Sequence, residues 1–575
     1  MSRIFAFPPQ ALLHGLAASL LLALVACNVS QPPQSKAPVQ AQERLAADHA
    51  RQSPREKKVE LTGDTSPAQT SPVLPAAAPA DALLPGYREE SREQYQGLAA
   101  NPVQVVAKAP VSTFSIDVDT GSYANVRRLL NQGQLPPAAA VRLEEMVNYF
   151  SYAYPQPEGE APFGVATELA LTPWNPQSRL LRIAIQAADT SLAALPPANL
   201  VFLVDVSGSM DRREGLPLVQ ASLKLLVEQL RAQDRVSLVV YAGQARVVLV
   251  PTAGSEKARI RAAIEQLRAG GSTAGESGIQ LAYRQAEQGF VEDGINRILL
   301  ATDGDFNVGV SDFDSLKALA ADKRRTGISL TTLGFGTGNY NERLMEQLAD
   351  AGDGNYAYID NLREAHKVLV AQLNSTLATV ARDVKLQIEF NPAQVSEYRL
   401  LGYENRALRP EDFRNDRVDA GEIGAGHSVT ALYEIVPVGR EGWLEPLRYR
   451  TAVSPAVGAA GKRDELAWLR IRYKAPQESR SRLLERPIRA SSAVPAIAEA
   501  SEDLRFAAAV AAFAQQLGGG QYLGDFDLSA SAELARSGKG EDRFGLRGEF
   551  IQLVELARSL QTARPDSRST AARDD

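Results

Sequence analysis

The fold this sequence predicts is multidomain, α/β plus β: a doubly wound domain with a mostly parallel sheet, inserted in a β-sandwich-like domain and accompanied by accessory helices. Three observations predict it. Between residues 197 and 376, apolar strands alternate with amphipathic helices, the pattern of a parallel sheet covered on both faces. Strand-like alternation brackets that stretch, at Leu181, Ile183 and Ile185 before it and at Val384, Leu386, Ile388 and Phe390 after it, so both sets are expected in one β layer. The length, 575 residues, also exceeds what a single core organises.

The amino terminus reads as an address. Arg3 precedes an apolar run over residues 11–26, short for a membrane span, which needs about 20 residues. The run ends Leu24-Val25-Ala26-Cys27, which resembles the lipobox of bacterial lipoproteins. That resemblance implies a signal peptide over residues 1–27, a lipid on Cys27 and an address in the bacterial cell envelope. Asn28, by the same resemblance, favours the outer membrane facing the periplasm. Cys27 is the only cysteine, so no intramolecular disulfide or cysteine-based zinc site is available. Residues 28–110 are rich in Pro, Ala and Gln without a periodic apolar face, the composition of a disordered tether. The net charge of −6 comes with no basic cluster, which argues against a nucleic-acid partner.

Residues 111–196 begin with a strand over 113–119, a helix over 123–131 and a second helix opened by Pro136 and Pro137, on which Val141, Met146, Val147 and Phe150 share a face. Strands follow over 163–171 and 180–186. The run Asp117-x-Asp119-Thr-Gly resembles the nucleophile motif of haloacid-dehalogenase phosphatases. Gly121 stands where that family has Thr or Val, so the run is read as a turn. Trp174 and Trp468 are expected in the core of the sandwich.

In the central domain, Leu200 to Val204 is uniformly apolar and runs into Asp205-Val-Ser207-Gly-Ser209. One carboxylate and two hydroxyls thus stand at the carboxyl end of a strand, where open α/β sheets bind ligands, and such oxygens suit hard divalent cations. A helix over 216–231 leads to strands 236–241 and 246–250, whose tight connection makes them antiparallel at one edge. Helices 256–267 and 275–288 flank Gly270-Gly-Ser-Thr273-Ala-Gly. Strand 297–301 ends in Thr302-Asp303-Gly304, and elements over 313–323, 329–334, 339–348, 356–359 and 363–373 complete the alternation. No Gly-Lys-Ser or Gly-Lys-Thr supports a phosphate loop. Asp303-x-Asp305-x-Asn307 resembles an EF-hand opening, but Val308 occupies the required glycine position and Asp314 that of the bidentate glutamate. Asp350-Ala-Gly-Asp353-Gly reads as a helix stop and turn.

Asp205, Ser207, Ser209, Thr273 and Asp303, in that order and on those elements, resemble the metal-ion-dependent adhesion site (MIDAS) of von Willebrand factor A (vWA) domains, whose fold is Rossmann-like. The resemblance implies that Ser207, Ser209 and Thr273 are direct ligands and that Asp205 and Asp303 act through water. It also implies a bound divalent cation, Mg²⁺ foremost with Mn²⁺ and Ca²⁺ as alternatives, and a protein partner that offers an Asp or Glu carboxylate to it. A wider resemblance, to YfbK-like bacterial vWA proteins, covers residues 111–563. It rests on Phe114-Ser-Ile-Asp-Val-Asp-Thr-Gly-Ser-Tyr123 and Glu144-Glu-Met-Val-Asn-Tyr-Phe150. The expected organisation is a family-specific segment with β-layer strands over 111–196, the vWA domain over 197–376, a β-rich domain over 377–490 and a C-terminal helical region over 491–575. Helices are expected there over 502–517, 531–536 and 548–560.

The functional expectation is a lipid-anchored envelope protein that uses a metal at this site for adhesion or assembly, bound to the membrane through Cys27, with no catalytic residue assigned. The alternatives are a metal-dependent hydrolase and an accessory subunit of an envelope transport complex. Hydrolysis is disfavoured because, of four histidines, His14 lies in the signal and His49 in the tether. That leaves His366 and His427, neither beside a site motif. Ser222 and Ser237 stay open as nucleophiles. No run of the mature chain is apolar enough to conduct ions across a bilayer alone.

Overall fold

In the computed structural model the described residues are 93–159, 161–273, 275–304, 313–337, 340–418, 420–445, 464–476 and 478–563. The expected signal, Cys27, most of the tether, Asp305, Asn307 and the tail beyond residue 563 lie outside them. The description concerns the unit Tyr87–Asp575. Its elements before the central domain are β1 (Gln104–Val105), β2 (Val111–Ser115), α1 (Gly121–Asn131), α2 (Leu143–Asn148), β3 (Phe163–Thr172) and β4 (Asn175–Ala187). The central domain comprises β5 (Ala198–Asp205), α3 (Leu216–Gln229), β6 (Arg235–Tyr241), β7 (Ala245–Ala253), α4 (Lys257–Glu265), α5 (Gly275–Gln288), β8 (Ile295–Thr302), α6 (Phe313–Arg324), β9 (Ile328–Gly334), α7 (Glu342–Ala351), β10 (Tyr356–Tyr358), α8 (Leu362–His366) and α9 (Leu373–Leu377). The chain then returns through β11 (Thr379–Phe390), β12 (Val395–Leu401), β13 (Ile423–Gly424), β14 (Ser428–Pro437), β15 (Glu465–Lys474), β16 (Arg482–Arg489) and β17 (Ala493–Val494), and ends in α10 (Glu502–Leu517), α11 (Leu528–Ser537) and α12 (Leu546–Thr562).

The central sheet runs β10-β9-β8-β5-β6-β7, parallel except for β7, which is antiparallel to β6 as its short connection demands. Strand β5 explains the burial pattern. Leu200, Phe202 and Val204 point to α3, α4 and α8, while Val201 and Leu203 point to α5, α6 and α7, so every position from Leu200 to Val204 is apolar and covered. Two further sheets form the sandwich around which this domain is inserted: β1-β12-β14-β4-β3-β17, and β13-β11-β15-β16 with β2 beside β11. Leu181, Ile183 and Ile185 of β4 meet Leu386 and Ile388 of β11 and Leu469 and Ile471 of β15 between the sheets.

The outer face of the first sheet carries a third layer. Leu180 and Ala184 of β4 pack with Phe150, Phe506, Phe513, Phe550 and Val554, so α10 and α12 share one core with α2 and the sheet. This accounts for Trp174. It is buried, but on the helical side against Phe526, with its Nε1 donating to Glu434 at 3.2 Å. Trp468 departs from expectation. The alternation of β15 that turns Leu469 and Ile471 inward turns Trp468 outward, half-buried, where its Nε1 reaches Glu485 at 3.3 Å.

Three other expectations are corrected. The helix expected after Pro137 is a 3₁₀ turn, Ala138–Ala140, followed by two extended residues, Val141 and Arg142, before α2 begins. The helix expected over 363–373 is broken by a π turn, Lys367–Ala371, which sets the Lys367 Nζ 3.2 Å from the centre of the Tyr149 ring. The expected tether does not reach residue 110: Glu93 pairs with Arg128 at 2.9 Å, the Gln94 N–H donates to the Tyr340 carbonyl at 3.0 Å, and β1 pairs with β12. Among the described residues no helix is long and apolar enough to cross a membrane.

Candidate metal centre

Strand β5 has β6 on one side and β8 on the other, so the chain leaves β5 in one direction and later returns on its opposite flank. At such a switch point the loops splay apart and leave a crevice at the carboxyl ends of the strands. Asp205 closes β5 and Asp303 follows β8, so both carboxylates face that crevice from neighbouring strands. The third loop is tied in through its backbone. The Gly208 N–H donates to the Gly271 carbonyl at 3.0 Å and the Gly270 N–H to the Val206 carbonyl at 2.8 Å, two and three residues ahead of Thr273. Gly270 and Gly271 have φ of 158° and 89°, a course that side-chain-bearing residues rarely take, and this explains the glycine pair.

Asp205 is held rigidly. Its Oδ1 accepts from the Ser207 N–H at 2.8 Å and its Oδ2 from the Thr302 hydroxyl at 2.9 Å, while Thr302 Oγ1 itself accepts from the Gly304 N–H at 3.1 Å. The Ser207 and Ser209 hydroxyl oxygens lie 3.0 Å apart. Asp205 is fully buried, and Ser207, Thr273 and Asp303 are nearly so. Burial, and then the charge of Asp303, push the Asp205 carboxyl up to about 6. The influences that oppose this shift are hydrogen bonds from Ser207 and Thr302 rather than a cationic side chain.

Two residues of this arrangement escape a motif reading. Thr302 was visible only as the residue before Asp303, and its role needs β8 set beside β5. Tyr241 ends β6 opposite Asp205, and burial followed by the Asp205 charge raises its phenol well above 10. The rim is clasped from another loop as well: the Gly336 N–H donates to the Glu214 carbonyl at 2.9 Å and Arg212 Nη1 to the Thr337 carbonyl at 3.1 Å.

The donor set suits a hard cation. Two buried carboxylates repel one another, three hydroxyls add oxygen without adding charge, and a divalent ion relieves the repulsion. Among the described residues no group of three or more His, Cys, Asp or Glu is placed to hold a metal, so an ion here depends on the hydroxyls. The other candidates lie elsewhere. His366 ends α8 and His427 precedes β14, neither on the three loops. Ser222 donates to the Leu218 carbonyl within α3, and Ser237 is enclosed inside β6. Asp117 and Asp119 are not arranged as a nucleophile and acid, since both pair with Arg406, at 3.1 and 3.4 Å.

Comparison with known proteins identifies the family. A family model described as von Willebrand factor type A domain matches residues 199–371, one described as von Willebrand factor matches 89–182, and one described as Uncharacterized protein YfbK, C-terminal, matches 375–560. The Escherichia coli (strain K12) protein YfbK is 50% identical over 496 residues, covering 85% of each chain. The Synechocystis protein sll0103 is 35% identical over 190 residues, 32% of this chain and 43% of its own. Among solved structures, a von Willebrand factor type A protein from Catenulispora acidiphila aligns with 69% of this chain and 91% of its own, at 17% identity and a TM-score of 0.40. With half its residues shared along most of both lengths, and with both the vWA domain and the C-terminal region matched, the chain belongs to the YfbK family of vWA-domain proteins.

Proposed function

We propose that this protein is a cell-envelope lipoprotein, anchored through Cys27 to the outer membrane and facing the periplasm, whose vWA domain captures a protein partner through a divalent cation. Asp205, Ser207, Ser209, Thr273 and Asp303 hold the cation, with Mg²⁺ the ion of choice. The observation that carries the reading is the convergence of the three loops on one crevice, with Asp205 buried and fixed by Ser207 and Thr302. A bound Mg²⁺ supplies an electrophilic position that an Asp or Glu of the partner can fill. The chain's own residues set the geometry. Thr302 and the Ser207 amide hold the Asp205 oxygens in place, and the hydroxyls leave most of the cation's charge uncancelled. We read the site as one for binding rather than turnover because no histidine stands on its loops.

The test is capture from envelope extracts with the mature protein in Mg²⁺, in EDTA and as Asp205→Ala, alongside calorimetric titration of Mg²⁺ itself. Partner capture and Mg²⁺ heat in the wild type, both lost in EDTA and in the variant, are expected. Capture that is equal in all three conditions would falsify the reading.

A further inference from the structure

A second cavity, of about 420 Å³, lies away from the metal centre, and no residue of the central sheet lines it. Its walls come from the segment around Leu98, the extended Val141–Arg142 link, the end of β12 at Arg399 and Leu401, and the C-terminal end of α10 at Ala514. Cavities of this size with mostly apolar walls and one or two polar groups are the usual form of small-molecule sites.

Arg142 is the unusual group. It is only 4% exposed, yet its side chain makes no hydrogen bond or ion pair, and its Nε has neither a partner nor contact with solvent. A guanidinium carries five N–H donors, and leaving them unmade in a buried place is costly. Burial opposes its charge, and the neighbouring carboxyls of Glu342, Glu145, Glu346 and Glu144, none within ion-pair distance, outweigh that effect. Burial, and then neighbouring carboxylates, push Glu145 up to about 8 and Glu342 well above its usual range, which favours their neutral forms. Arg399, the other arginine of the wall, is already engaged: its Nη2 donates to Glu434 and to Gln515, both at 2.9 Å, and it stacks over the Tyr522 ring at 3.9 Å. Arg142 therefore faces a mostly apolar chamber with its whole side chain unpaired, whereas Arg399, whose Nε is also unpaired, is held through its Nη2. Glu404 also lines the wall and disfavours a dianion.

We propose that this cavity binds a small amphipathic monocarboxylate, with its carboxylate on the Arg142 guanidinium and its apolar body against Leu98, Val141 and Leu401. Two sources share that chemistry, an acyl acid and the free carboxyl end of a short apolar peptide. Calorimetric titration of the mature protein with octanoate against octanol, and with N-acetyl-dileucine against its carboxamide, separates them. The acid is expected to bind about tenfold or more tightly than its neutral counterpart in at least one pair, and the pair that responds identifies the source. Arg142→Gln is expected to erase that preference. Leu98→Trp, at a half-buried position on the wall, is expected to weaken acid and neutral compound alike while leaving the melting temperature unchanged. Equal binding of acid and neutral compound, absence of saturable binding by either acid, or an undiminished preference in Arg142→Gln would overturn the proposal.

Discussion

Asp205 carries the balance of forces at the candidate centre. Burial raises its carboxyl, Asp303 raises it further, and Ser207 and Thr302 pull it back, so that it titrates near 6. A carboxylate must lose its proton to serve a cation, so on the proposed reading affinity for Mg²⁺ falls as pH drops through that value. Titration at pH 7.5, 6.5 and 5.0 is expected to show a small loss over the first step. Over the second the loss is expected to be about eightfold in all. An affinity that stays flat to pH 5 would mean that Asp205 takes no part. The residues proposed for this centre can be singled out in the sequence because each follows a strand or precedes a helix in a short, glycine-marked loop. Thr302 was not, because a threonine before an aspartate has no distinctive local signal until β5 lies beside it.

Helix α1 shows what an element gains from its neighbours. Its bounds could be read from the Thr120-Gly-Ser turn at one end and Gly133 after the other, but its surroundings could not. Asn125, Arg127 and Arg128 suggest a solvated face, whereas the structure buries the helix on every side from Gly121 to Leu130. Arg127 is the reason this is possible. Its Nε donates to Asp360 Oδ2 at 2.8 Å, its Nη2 to Glu364 at 2.8 Å, and its Nη1 to Tyr149 at 2.8 Å and to Glu549 of α12 at 3.1 Å. One side chain thereby joins the N-terminal segment, the vWA domain and the C-terminal helices. Arg127→Met leaves Asp360 buried without its cation and Glu364 with Lys367 alone, at 3.5 Å. The variant is expected to lose about 3–5 kcal/mol of stability in urea denaturation. A loss below about 1 kcal/mol, the usual worth of an exposed pair, would show that the cluster is not a structural tie.

At the scale of the whole molecule, several carboxylates at the seams between layers are pushed upward by burial first and by one another second. Glu145 and Glu422 rise to about 8, and Asp350 and Glu404 to about 7. These carboxyls therefore hold more protons in the folded chain than in the unfolded chain between the ordinary carboxylate range and about pH 8, and they outnumber His427, which burial pushes down to about 4 and which acts the other way. By linkage, stability falls as pH rises through that window. The melting temperature is expected to be higher at pH 5.5 than at pH 8.5, and the reverse order would show that these groups are ionised in the fold at no cost. The three-layer arrangement behind these seams was only half legible. Alternation in β4 identified Leu181, Ile183 and Ile185 as one face, but Leu180 and Ala184 gave no sign that α10 and α12 would cover the other. The helical periodicity of residues 502–562 marks an apolar face without naming the surface it meets.

What the sequence determined by itself is local: strands by their periodicity, loops by their glycines, and candidate site residues by the chemistry of the loops that follow strands. The inserted order of the domains was readable too, because matching β patterns stood on both sides of the α/β run. Only the tertiary structure decided which face each element buries, the outward turn of Trp468, the break before α2 that leaves the Arg142 side chain without a hydrogen-bonding partner, and the convergence of Asp360, Glu364 and Glu549 on Arg127. The physical reason is that burial and charge pairing depend on neighbours hundreds of residues away in the chain, whereas backbone preference is fixed within a few.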